Sequence, residues 1–217
     1  RRVGRTWIWS RGGELVTERF PELARAGDAL PDGTVLDGEI MPWKGGRALT
    51  FAQLQRRIGR LTLGPKMLAD VPVVLIAYDL LEDGGEDART RPLEARRARL
   101  EELLRSAVLE ERLLPSPIVR VGSWEEAAAM QGKAREFLAE GLMLKRRDSE
   151  YGVGRRKGGW WKWKVEPYSV DAVMIYAQAG HGRRASLHTD YTFAVWDGDA
   201  LVPFAKAYSG LTDAEIR

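Results

Sequence analysis

Residues 71–81 read VPVVLIAYDLL, and this stretch decides the fold class. It is a continuous apolar run rich in β-branched residues, as in a strand covered on both faces, and it predicts the central strand of a sheet. Residues 34–41 (TVLDGEIM) read as a second strand, closed by a turn at Lys44-Gly45-Gly46. Thr50 and Gln53 then hold capping-box spacing before Phe51, Leu54 and Ile58, so residues 51–58 are expected to form a short helix stopped by Gly59. Upstream, residues 5–10 alternate and Ser10-Arg11-Gly12-Gly13 turns them toward residues 14–17, an expected opening hairpin.

Farther along, Leu100, Leu103, Leu104, Ala107 and Val108 recur at helical spacing over residues 93–109, with Arg and Glu expected on the solvent face. Ser123-Trp124-Glu125-Glu126 is a second capping box, expected to start a helix that runs to about Ala139. Residues 142–147 and 160–165 read as strands. After Glu166-Pro167-Tyr168-Ser169 come three β-rich runs, residues 170–178, 185–196 and 201–208, with turn signals between them, which predict an antiparallel meander. The expected class is α+β: antiparallel sheets with flanking helices over residues 1–168, and a second, smaller β domain over residues 169–217.

The 217 residues, 44% hydrophobic, suffice for one substantial core or two modest ones. No apolar run approaches the roughly 20 residues of a membrane helix, and the N-terminus lacks a signal-peptide stretch, so a cytoplasmic, membrane-free monomer is expected. Without cysteine there is no disulfide, thiolate zinc site or cysteine nucleophile, and His181 and His188 alone offer little for a histidine triad. Chemistry must fall to carboxylates, lysines and arginines. The net charge of +3 is unevenly spread. Residues 145–164 hold eight basic and two acidic residues, +6, leaving −3 for the rest. Tyr151, Trp160, Trp161 and Trp163 interleave with those cations, the makeup of a phosphate-contacting surface.

Neither a phosphate-binding G-x-x-x-x-G-K-[ST] loop nor G-x-S-x-G nor H-E-x-x-H occurs. In Leu36-Asp37-Gly38-Glu39 the two carboxylates project from one strand face, with a glycine between them that would let a ligand approach the backbone. Glu140-Gly141-Leu142-Met143-Leu144-Lys145 sets an acid and a lysine at opposite ends of a strand. Trp161-Lys162-Trp163-Lys164 alternates, sending both lysines to one face and the tryptophans to the other, where they would seal the core.

In that order and spacing, SRGG, LDGE, AYDLL, EGLMLK and WWKWK resemble the ordered motifs of ATP-dependent DNA ligases. The stretches FAQLQRRIGR and AQAGHGRRASLHTDYTFAVW are most similar to bacterial repair-type ligases associated with helicases, which makes a helicase or another repair protein an expected partner. The resemblance implies an adenylation (nucleotidyltransferase) domain followed by the start of an OB-fold barrel, with ATP and Mg²⁺ as cofactors and nicked duplex DNA as substrate. It implies that Tyr78 stacks on adenine, that Glu39 holds the ribose or organises metal, and that Glu140 binds Mg²⁺. Lys162 and Lys164 would contact the α-phosphate, and Arg11 the 5′-phosphate of a nick.

One departure stands out. Such ligases open their motif series with K-x-D-G, whose lysine attacks ATP to form a lysine–AMP phosphoramidate, and none of the eight lysines here is followed by x-D-G. The sequence is therefore expected to be a piece of a longer enzyme, beginning just after that motif and stopping before a C-terminal basic motif. An RNA ligase, a capping-type guanylyltransferase and a non-catalytic nucleic-acid-binding module are the rival readings.

Overall fold

The structure is a computed structural model describing residues 1–60, 62–106, 111–154, 156–208 and 210–216. The chain divides into two compact units, Arg1–Val165 and Glu166–Arg217.

In the first unit, β1 (Val35–Lys44) pairs antiparallel with β3 (Val73–Asp83), which sits between β1 and the short β4 (Glu86–Asp87). The short β2 (Arg47–Ala48) flanks β1, and β5 (Leu113–Pro115) runs parallel to β3. The central strand lies two residues later than its apolar run suggests. Val71 N–H donates to Met67 O at 3.0 Å, so Val71 closes a helix, and Pro72 has no N–H to give a ladder. That helix, α3 (Pro65–Asp70), was not expected; α1 (Pro21–Gly27) likewise opens with a proline, whose fixed φ suits a first helical turn.

Helix α2 (Phe51–Ile58) forms as its capping box requires, with the Gln53 side chain accepting from Thr50 N–H at 3.0 Å. Helix α4 (Leu93–Ser106) buries Leu100, Leu103 and Leu104 against Val73, Ala77 and Leu80 of β3, with Leu23 and Ala26 of α1 in the same core. Of the positions expected to extend α4, Ala107 and Val108 lie outside the described residues. Its polar face also differs from expectation: Arg96 is buried, its guanidinium forked onto buried Asp79 at 2.7 and 2.9 Å. A second fork joins buried Arg57 of α2 to the partly buried Glu22 of α1 at 2.6 and 2.7 Å. These bidentate contacts let arginine enter a core that would reject an unpaired charge.

The opening hairpin is reduced to one bridge, Trp9 opposite Leu15, because Thr17–Arg19 turns into a 3₁₀ helix before a ladder can form. The helix from Ser123 is also shorter than expected: α5 (Trp124–Gly132) gives way to a 3₁₀ turn, Ala134–Phe137, ended by Leu138 in the left-handed region at φ 56°. That turn delivers the chain to a two-stranded sheet of β6 (Gly141–Lys145) and β7 (Trp160–Lys164).

The second unit is a three-stranded antiparallel meander, β8 (Val173–Ala179), β9 (His188–Asp197) and β10 (Ala200–Ala207), in the order β10-β9-β8, followed by the short α6 (Asp213–Ile216). Among the described residues no helix is long and apolar enough to cross a membrane.

Candidate functional site

Strands β1 and β3 place Asp79 opposite Asp37 and Ile76 opposite Glu39, with a register irregularity between Asp37 and Gly38. Next to this break, the Tyr78 hydroxyl donates to Glu39 Oε2 at 2.8 Å and the Tyr151 hydroxyl to Asp37 Oδ2 at 2.9 Å. Each carboxylate of the LDGE strand thus holds a tyrosine. Burial, reinforced by Glu39, pushes the Tyr78 phenol up; burial and the charge of Asp37 push Tyr151 up to about 12. Both rings stay neutral donors at physiological pH. Gly38 has a different purpose from ligand access: a Cβ there would lie 2.6 Å from Ile76 O and 2.9 Å from Leu75 Cδ1, so the glycine allows β1 to close on β3.

In the β6–β7 pair, Lys145 lies opposite Trp160, Met143 opposite Lys162, and Gly141 opposite Lys164, and these residues share one face. Gly141 is required by its φ of +146° and because a Cβ would fall 2.1 Å from Trp163 O. Lys164 Nζ reaches Glu140 Oε2 at 2.6 Å across an exposed pair, and that contact holds the Glu140 carboxyl below its usual range. The opposite face only partly seals the structure. Trp163 packs on Trp124 of α5 with centroids 6.1 Å apart, but Trp161 remains 48% exposed.

The two sheets meet at Lys145, whose Nζ lies 3.8 Å from the Trp160 ring centroid and 5.7 Å from that of Tyr78. Tyr151 stands edge-on to Trp160 at 5.5 Å, and Trp160 Nε1–H donates to Ser149 Oγ at 3.0 Å. The loop carrying Ser149 and Tyr151 is pinned from below: Ser149 O accepts from Arg96 at 3.0 Å and from Leu93 N–H at 2.9 Å. The buried Arg96–Asp79 fork therefore supports the aromatic cluster. A stacking surface, two carboxylates and a row of cations suit a ligand with a flat ring at one end and negative charge at the other.

Residues 2–164 match the family model described as ATP dependent DNA ligase domain. This chain belongs to that ligase family. It is 39% identical to a probable DNA ligase of Koribacter versatilis over 96% of its length and 40% of the relative's. It is 35% identical to a DNA ligase of Thermococcus onnurineus over 98% of its length and 38% of the relative's. The chain thus spans about two fifths of the length of these curated ligases. Among solved structures it matches a mycobacterial DNA ligase D complexed with ATP and MES, with a TM-score of 0.59, 26% identity and coverage of 98% and 63% of the two chains. A Lig E DNA ligase shares the fold at a TM-score of 0.70 and 18% identity, with 97% of this chain and 73% of that one covered.

In this ligase-family chain the expected site residues fall into two pairs. Glu39 meets Tyr78, and Glu140 meets Lys164, but no hydrogen bond or ion pair joins the pairs among the described residues. Lys162 is exposed on the same face as Lys145. Arg11 sits at the exposed turn where Gly13 N–H donates to Ser10 O, and makes no hydrogen bond or ion pair among the described residues. Among those residues no three carboxylate or histidine side chains cluster as a metal site. A surface depression of about 410 Å³ lies between α2 and α3, lined by Arg56, Arg60, Lys66 and Asp70 and by none of the site residues. Sequence reasoning missed Lys145, Tyr151 and Trp160 as site members. Their signal was the +6 aromatic segment, which contains all three.

Proposed function

We propose that this chain forms the nucleotide-handling core of an ATP-dependent DNA ligase that seals nicks in duplex DNA. The observation that carries the reading is the Tyr78–Glu39 pair facing Lys145. Tyr78 offers its ring to adenine, its hydroxyl edge fixed by Glu39, whose second oxygen, without a hydrogen bond among the described residues, takes a ribose hydroxyl. Lys162 and Lys164, farther along the same face, take the phosphates and balance the charge that grows as pyrophosphate leaves. Residues 1–168 act as the adenylation domain, and residues 169–217, which include the meander, as the start of an OB-fold.

ATP supplies the transferable adenylyl group when bound, and the donor set fits it: one aromatic platform, carboxylates for hydroxyls and cations for phosphates. A divalent ion such as Mg²⁺ fits less completely. Glu140 and Glu39 each supply a carboxylate, and substrate phosphates and water would complete an oxygen shell. Lys164 beside Glu140 keeps that carboxylate ionised for such a role. Arg11, at its exposed turn and without a side-chain partner among the described residues, holds the DNA 5′-phosphate in this reading. A repair helicase remains the proposed partner on the resemblance of the FAQLQRRIGR and AQAGHGRRASLHTDYTFAVW stretches alone.

No lysine in the chain lies in K-x-D-G, so the site is expected to bind ATP without forming a covalent adduct. Incubation with ATP labelled at the α-phosphate, followed by denaturing electrophoresis, checks this, and a stable labelled band contradicts it. Calorimetric titration checks binding. Tyr78→Ala should weaken ATP by about 1–3 kcal/mol, the worth of one stacked base. Unchanged affinity would remove Tyr78 from the site.

A further inference from the structure

Lys145 is a partly buried ammonium with no hydrogen bond or ion pair among the described residues; what faces it is aromatic. Lys164 on the neighbouring strand has a carboxylate at 2.6 Å, while Lys145 has Trp160 at 3.8 Å and Tyr78 at 5.7 Å. Both rings are already restrained at their polar edges, Tyr78 by Glu39 and Trp160 by Ser149. A cation between them restrains their faces.

We propose that Lys145 is a positioning residue, setting the Tyr78 and Trp160 rings as the platform for the nucleotide base without contacting the phosphates. The inference rests on the nucleotide reading above. Register supports the division of labour: Lys145 pairs with Trp160 at one end of the β6–β7 ladder and Lys164 with Gly141 at the other. Four residues of strand separate these positions by about 13 Å. The base end and the phosphate end are thus opposite ends of one face, with Lys162 between them. Burial holds the Lys145 ammonium below the usual lysine range against the opposing charges of Asp79 and Asp37, and Arg96 and Arg97 add to the lowering. The ammonium, favoured by the charges of Asp79 and Asp37 but with no carboxylate in hydrogen-bond contact among the described residues, is left facing the two rings.

The test titrates the chain with adenosine and with ATP. Lys145→Met keeps the stem and removes the charge, and should weaken both ligands by the same factor, about fivefold for a cation–π contact of this kind. Lys162→Ala should weaken ATP and spare adenosine. Lys145→Arg, which keeps the cation, should restore most of the affinity for both; if it binds as poorly as Lys145→Met, charge is not what matters and the proposal falls. Loss of ATP affinity alone in Lys145→Met would make Lys145 a phosphate contact and overturn the positioning role. If Tyr78→Ala loses both ligands while Lys145→Met loses neither, the nucleotide reading stands and the positioning role is wrong. If Tyr78→Ala is also silent, both fall. Thermal unfolding of each variant separates loss of fold from loss of binding, and Lys145→Arg supplies the comparison should Lys145→Met unfold.

Discussion

On the β1–β3 side of the candidate site, Tyr78 is tied to Glu39, Tyr151 to Asp37, and Arg96 to Asp79 beneath them. On the β6–β7 side, among the described residues, the exposed Lys162 ammonium has no hydrogen bond or ion pair, and the Lys164 ammonium holds only the exposed Glu140. The first side is built before any ligand arrives. The second presents charge to solvent, where a mobile phosphate group can be met by side chains that still have rotamers to choose. The contrast matches what each ligand end demands: a flat ring rewards fixed geometry, whereas a polyanion is attracted over distance and tolerates adjustment.

The largest expected effect breaks the built side. Arg96→Ala leaves Asp79 buried without its partner and releases Ser149, and should cost about 3–5 kcal/mol in urea unfolding. A loss below about 1 kcal/mol, the range of exposed pairs, would show that the fork does not support the site.

A next, smaller effect sharpens the open side. If the basic segment of residues 145–164 and Arg11 meet DNA phosphates, duplex binding should weaken with salt at a slope of about −0.9 in log K against log salt per phosphate neutralised. Arg11→Ala should reduce that slope and spare ATP affinity, while Lys162→Ala should chiefly reduce ATP affinity. Equal losses of both in both variants would erase the division between base, phosphate and DNA contacts.

High pH provides a subtler comparison. Tyr151 titrates near 10 when unfolded and at about 12 in the fold, so its contribution is complete below pH 10 and is lost as pH rises toward 12. Absorbance at 295 nm should show two late tyrosines, Tyr151 and the still later Tyr78, and Tyr151→Phe should remove the earlier of the two. The smallest effect concerns Glu140→Gln, which should leave the unfolding midpoint unchanged, because its exposed pair with Lys164 is screened by water. A clear fall in the midpoint would place that pair among the structural contacts.

Much of the framework was legible because local signals agreed. The apolar run with Tyr78, the capping box at Thr50 and the alternation of β7 each named an element that formed. Where reading failed, a distant partner decided. Arg96 looks like a solvent-face residue in a helical repeat, and only the fold brings Asp79 beneath it. Gly38 reads as an opening for ligand, yet Ile76 O occupies the space a side chain would need. Lys145 looked like a strand end, and its role depends on Tyr78, 67 positions earlier, and on Trp160 across the ladder. Pairings of that kind have no periodicity and leave no local trace.

The most direct measurement is a crystal structure of this chain with an ATP analogue whose α,β-bridge cannot be cleaved. The expected result is adenine stacked on Tyr78 with Glu39 at the ribose, and the phosphates running toward Lys162 and Lys164. Adenine bound away from Tyr78, for example in the basic depression between α2 and α3, would contradict the assignment of this site.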